Sequence, residues 1–121
     1  MEALNSQPID PVAVATAERQ TLSPLSERRM RRLLDVLCDG TRLKIVRALR
    51  DNQLAASDLA RILGRSRSAT SQHLRVLREA DVVEPSHKGN IVRYKLASDI
   101  NAEILKDIGR AFDRLDRGTA A

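Results

Sequence analysis

The chain has 121 residues, of which 42% are hydrophobic and 31% charged, with a formal net charge of +5; this fits one small soluble domain with a modest core and excludes a membrane-embedded protein. One Tyr, one Phe and no Trp leave almost nothing from which to build the stacking platforms that hold single strands or RNA. A single cysteine, Cys38, excludes an intramolecular disulfide and a multi-cysteine zinc site.

Residues 1–22 carry Pro8 and Pro11 among small and polar residues with no sustained period, and are expected to form a flexible arm ahead of a folded domain over 23–117 and a tail over 118–121. Ser23-Pro24 provides a cap and first residue for a helix in which Leu25, Met30, Leu33, Leu34 and Leu37 recur up to Cys38. Asp39-Gly40 breaks it, and Thr41 caps a second helix with Leu43, Val46 and Leu49 or Arg50 on one face, ended by Asp51-Asn52. Ser57 caps a short third helix over 58–63, which Gly64 stops. Ser66 caps a fourth, whose rotation of about 100° per residue puts Thr70, Leu74 and Leu77 on one side and Ser68, Gln72, Arg75 and Glu79 on the other. Two β-prone runs, 82–87 and 91–96, are joined by Lys88-Gly89-Asn90 as a hairpin. Ser98 caps a last helix with Ile100, Ile104, Leu105, Ile108, Ala111, Phe112 and Leu115 on one stripe. No run approaches the roughly 18 apolar residues of a membrane span, and the N-terminus lacks the basic-then-apolar order of a secretion signal, so the expected compartment is the cytoplasm.

From Arg61 to Lys95, eight bases stand against three acids, so the whole net charge of +5 sits in this segment. Such a concentration suits a polyanion. A short helix, a tight turn, a helix with a polar head and a basic hairpin together make a winged helix-turn-helix: a mostly α fold of five helices with a β-hairpin wing. The motif works because a helix fits the major groove of double-stranded DNA and its N-terminal side chains reach base edges. Ser68, Ser71, Gln72 and Arg75 are therefore expected to face DNA, with Gln72 able to pair bidentately with adenine and Arg75 suited to guanine or phosphate. Arg65, Ser66 and Arg67 are expected to position the helix on phosphates, and Lys88, Asn90 and Arg93 to bring the wing to the backbone or minor groove.

No acid, base and nucleophile are grouped as catalysis requires, so no enzyme is expected. His73 reads as a hydrogen-bonding packing residue of the fourth helix and His87 as a polar contact of the wing.

Residues 33–96, and in looser form 25–115, resemble the arsenic-repressor (ArsR/SmtB) family of winged-helix bacterial repressors. "LCDGTRLKIVRAL" is similar to its Leu-Ala-Asp-Pro-Thr-Arg segment, "SATSQHLRVLREADVV" to its recognition helix and "KGNIVRYKL" to its wing. The resemblance implies a homodimer, joined through the first and last helices, that represses from an inverted-repeat operator and lets go on sensing an inducer. Leu25, Leu33, Ile100, Ile104, Ile108, Phe112 and Leu115 are the expected interface, and the seven apolar residues of the last helix offer more surface than one small protomer buries.

The family's thiolate box matches "QLAASDL" and puts Ala55 and Ser57 where two cysteines would stand, while its C-terminal zinc pattern falls on Asp99, Asn101, Phe112 and Leu115. Only the aspartate is a metal ligand, so no metal and no cofactor are expected. Cys38, beside Asp39, is expected as a small buried packing residue. Two alternatives remain beside the operator-binding repressor: a redox-responsive repressor using Cys38, and a winged-helix adaptor or antirepressor acting through protein contacts. The second predicts a disrupted recognition helix, whereas Ser68, Gln72 and Arg75 are in place.

Overall fold

A computed structural model describes residues 7–98 and 100–120, and the chain divides into two units, 1–31 and 32–121.

The first unit holds α1 (Pro11–Gln20) and the beginning of α2 (Pro24–Leu37). A flexible arm is expected over 1–22, yet α1 is a helix: the Asp10 side chain accepts the Ala13 N–H at 3.0 Å and Pro11 opens the first turn. There a missing N–H costs nothing, and Ala13, Ala15 and Ala17 are strong helix formers. None of its residues is buried, so no apolar period marks it. Met1–Ser6 lie outside the described residues. The expected cap of the next helix is in place, since Ser23 Oγ accepts the Ser26 N–H at 3.2 Å.

In the second unit, Leu33 and Leu37 of α2 enter a core shared by α3 (Gly40–Ala48), β1 (Leu54–Ala55), α4 (Ala56–Leu63), α5 (Arg67–Glu79), β2 (Val83–Lys88), β3 (Ile91–Leu96) and α6 (Ile100–Ala120). Its fully buried members include Ile45, Leu59, Leu74, Leu77, Val82, Val83 and Leu105. Leu33, expected at a dimer interface, is thus committed to the protomer's own interior. The C-terminal helix runs through Ala120, so residues 118–120, expected as a tail, continue it.

Asp39 corrects one capping assignment. Its carboxylate, rather than the Thr41 hydroxyl, starts α3 by accepting the N–H groups of Thr41 at 2.9 Å and Arg42 at 3.1 Å. The hydrogen bond from the Arg42 amide is the first reason that the acid is held below its ordinary value of 3.8. A lowered carboxylate stabilises the fold above the unfolded-state value, and that contribution is lost as pH falls through the folded one. Asp39→Ala should therefore lower unfolding free energy by about 0.5–2 kcal/mol at neutral pH, and Asp39→Asn by much less, because asparagine caps as well. Urea melts at pH 7 and pH 3 check this: the difference between wild type and Asp39→Ala should shrink at the lower pH.

The strands form one antiparallel sheet in the order β1-β3-β2. Leu54 and Ala55 pair with Tyr94 and Arg93 as a two-residue edge strand, too short to show any alternation in sequence. Lys88 pairs with Ile91, which narrows the expected three-residue loop to Gly89-Asn90. Gly89 takes φ +64°, a conformation that L side chains rarely adopt. At the sheet's base, Glu84 meets Lys95 at 3.4 Å and accepts the hydroxyl proton of Ser98, the expected cap of α6, at 3.0 Å. Asp99 lies outside the described residues.

Candidate nucleic-acid interface

The turn between α4 and α5 is set by Gly64. Its φ is +62°, its N–H reaches the Arg61 carbonyl at 3.2 Å, and the Arg65 N–H reaches the Ala60 carbonyl at 3.1 Å, the paired bonds of a left-handed helix ending. An added Cβ would meet nothing within 4 Å, so the demand for glycine is conformational rather than steric.

Two residues later α5 begins. Ser66 Oγ accepts the Ala69 N–H at 3.0 Å, and the Thr70 hydroxyl donates to the Ser66 carbonyl at 2.9 Å. Thr70 is 0% exposed, so this bond satisfies a hydroxyl that burial would otherwise penalise. Thr70, Leu74 and Leu77 anchor the inner face, and α5 packs against α3, α4 and β2. At the far end the Asp81 N–H reaches the Arg78 carbonyl at 3.0 Å and the Val82 N–H that of Leu77 at 2.9 Å, with Asp81 at φ +60°. The Arg32 guanidinium donates to the Glu79 carbonyl at 2.9 Å. Both ends of α5 are thereby held, and its outer face is exposed.

On that face Arg67, Ser68, Ser71, Gln72 and Arg75 are all exposed, as are Arg65 and Ser66 in the turn. Lys88 and Asn90 are exposed on the wing, and Arg93 is half-buried. Four of these ten come together: Arg67 and Ser71 of α5 and Asn90 and Arg93 of the wing line one cleft of about 590 Å³. Ser68, Gln72, Arg75, Arg65, Ser66 and Lys88 lie outside its lining.

Sequence reasoning missed that Ser57, Asp58 and Tyr94 line the same cleft. Ser57 was expected to cap the short helix, but α4 starts at Ala56 with Ala55 as its cap residue and no side-chain bond. The first turn of α4 therefore opens onto the cleft with its serine hydroxyl. Two arginines against one aspartate leave the cleft cationic. Lys95, counted in the basic excess, is paired with Glu84 and contributes less than its formal charge. Two apolar side chains, Ile91 and Val92, stand exposed beside the turn of the wing.

Residues 39–84 match the family model described as "Bacterial regulatory protein, arsR family". The chain is 31% identical over 78 residues to the transcriptional repressor SdpR of Bacillus subtilis, covering 64% of this chain and 82% of that one. The chain belongs to the ArsR family. HlyU from Vibrio cholerae superposes with a TM-score of 0.69 at 29% identity, over 74% of this chain and 98% of HlyU. Mb0332 from Mycobacterium bovis, described as a homodimeric winged helix-turn-helix DNA-binding domain, shares the fold with a TM-score of 0.67 at 22% identity, over 76% of this chain and 88% of its own.

As an ArsR-family member the protein is a DNA-binding transcriptional regulator with a winged helix-turn-helix, and its relatives are regulators rather than enzymes. Among the described residues there are six helices where the sequence leads one to expect five, α1 being the addition. No helix among the described residues is long and apolar enough to cross a membrane.

The metals to which this family's boxes correspond do not fit these residues. The thiolate positions hold Ala55 at the end of β1 and Ser57 in α4, and the C-terminal positions hold Asp99, Asn101, Phe112 and Leu115, where the aspartate stands without the imidazoles that would complete the set. A methyl, a hydroxyl, a ring and an isobutyl group offer no ligand set for a borderline or soft ion. Cys38 is exposed, against the expectation of a buried packing residue, because α2 ends at Leu37 and turns its buried stripe at Leu33 and Leu37 away from the next position.

Proposed function

We propose that this protein is a cytoplasmic repressor that binds an inverted-repeat operator as a homodimer, placing the N-terminal half of α5 in the major groove and the wing on the flanking backbone. The observation that carries the reading is the head of α5. Its capped, internally anchored first turns present Arg67, Ser68, Ser71, Gln72 and Arg75 outward together. A helix needing only solubility has no use for so many short hydrogen-bonding side chains at the end nearest a cationic cleft. Gln72 and Arg75 read base edges, whereas Arg67, Ser71, Asn90 and Arg93 take the sugar-phosphate strand that passes between helix and wing.

The dimer is supported by the apolar side chains that one protomer leaves uncovered. Leu25 and Leu34 on α2 and Leu115 on α6 are more than half exposed, and Phe112 is partly so. Ile104 and Ile108 divide between the core and the outer surface, and the side chain of Ile100 lies outside the described residues. Homodimerisation of Mb0332, which has the same fold, and repression by SdpR support the same assembly and sign of regulation. The two family boxes, without their thiolates and imidazoles, lend no support to a metal as the releasing signal.

Footprinting on the DNA upstream of the protein's own gene tests the reading. The expected result is a protected inverted repeat with half-site centres about one helical turn, roughly 10 bp, apart, together with lower reporter output when the protein is present. Protein that is folded and dimeric yet protects no sequence, there or in a pool of random duplexes, would overturn it in favour of an adaptor.

A further inference from the structure

We infer that Arg47, Arg50 and Asp113 form the joint that sets the angle of α6 against the DNA-reading elements, and thereby how much a second half-site adds to operator binding. The inference rests on the proposed dimer. The Asp113 carboxylate takes one guanidinium on each oxygen: Arg47 Nη2 donates to Oδ1 at 3.0 Å, and Arg50 Nη1 donates to Oδ2. Arg47 stands in the last turn of α3, Arg50 lies just past its end with its N–H reaching the Arg47 carbonyl at 3.3 Å, and α3 packs directly on α4 and α5.

Gly109 lies one turn before Asp113 on the same side of α6. A Cβ there would sit 3.1 Å from Arg50 Cδ and 3.4 Å from its Nη1, so the missing side chain is the track along which Arg50 reaches its carboxylate. A buried glycine inside a helix is otherwise a poor choice, and this contact gives it a reason.

Earlier along α6, Leu105 with Ile104 and Ile108 packs against the core through apolar contacts. Those contacts resist separation but tolerate sliding and rotation. Two directional charge-assisted bonds a turn or two further along remove that freedom. The three side chains retain between 32% and 46% exposure, which makes the joint adjustable rather than a sealed part of the core. If α6 joins two protomers, its angle fixes the separation of the two copies of α5, and a loose joint spends the second half-site's binding on reordering.

The test compares a duplex carrying the full inverted repeat with one carrying a single half-site. Wild type should prefer the full site at least tenfold. Asp113→Asn should keep half-site affinity within twofold while the preference falls at least fivefold. Asp113→Glu should recover part of it, and Arg47→Gln/Arg50→Gln should reproduce the loss. Thermal melts and sedimentation establish that each variant is folded and dimeric; should Asp113→Asn fail to fold, the double arginine variant decides. An unchanged preference, or an equal loss on both duplexes, overturns the joint. A wild type that shows no preference for two half-sites overturns the dimer reading instead.

Discussion

Leu77→Ala should lower the free energy of unfolding by about 2–5 kcal/mol, the range expected when a fully buried leucine is cut back and the cavity cannot close. Leu77 is 0% exposed and belongs to the cluster formed with Ile45, Leu59, Leu74, Val82 and Leu105. The backbone around it cannot readily relax, because its own carbonyl accepts the Val82 N–H that closes α5, and α5 is flanked by α3, α4 and β2. A domain of this size has roughly 5–15 kcal/mol in all, so the variant should be substantially unfolded at moderate urea and should lose operator binding on warming before wild type does. Ile62→Ala, on the 59% exposed outer side of α4, should change stability by no more than about 0.5 kcal/mol. Urea titration followed by circular dichroism compares the two. A Leu77→Ala loss below about 1 kcal/mol would mean that the core is not organised around the recognition helix.

What could be read in the sequence follows from how local its causes are. The helices α2 and α5 and the hairpin are legible because a cap, an apolar period and a terminating residue all lie within one stretch: Ser23 and Pro24 before Leu33 and Leu37, Ser66 before Leu74 and Leu77, Gly89 between two β-prone runs. The errors fall where a local signal has two competent owners. Asp39 and Thr41 are both good caps, and the carboxylate wins by serving two amides at once. Ser57 looks like a cap, but β1 pairs with β3 and carries the chain directly from Ala55 into α4. Ile45 is buried beside Val46, and a three-residue period cannot show two neighbouring positions facing inward when a helix is enclosed on more than one side. The exposed helix α1 has no apolar face to find.

The candidate site divides in the same way. The outward residues of α5 follow from rotation about a helix axis and were accessible to counting. The cleft did not follow, because it is assembled by pairing Arg93 with Ser86 and Ala55, which brings the wing beside the first turn of α4 from more than thirty residues away. Nor did the ion pairs of Asp113 with Arg47 and Arg50, whose partners lie 66 and 63 residues apart. Charge counting located the basic segment but could not show that Lys95 is engaged by Glu84 within the sheet.

Those differences sharpen what substitution in the interface should do. Gln72→Ala and Arg75→Ala each remove a side chain that is exposed on the outer face of α5 and outside the cleft. Each should cost on the order of 1–3 kcal/mol per half-site where it makes a bidentate base contact, and roughly twice that on a symmetric operator. Sequence preference should relax at one pair of symmetric positions for each variant, with the salt dependence little changed for Gln72→Ala, which carries no charge. Lys88→Ala should behave differently. Its ammonium stands at the end of β2 next to the wing turn; in the proposed docking it would meet backbone rather than base edges, so all sequences should weaken nearly alike. The slope of log affinity against log salt should become shallower by about one phosphate contact per protomer. Footprinting and salt titration of wild type and the three variants on one operator decide the matter. Unaltered preference in Gln72→Ala and Arg75→Ala, with altered preference in Lys88→Ala, would move base reading from α5 to the wing, where exposed Ile91 and Val92 would then be the side chains next to the bases.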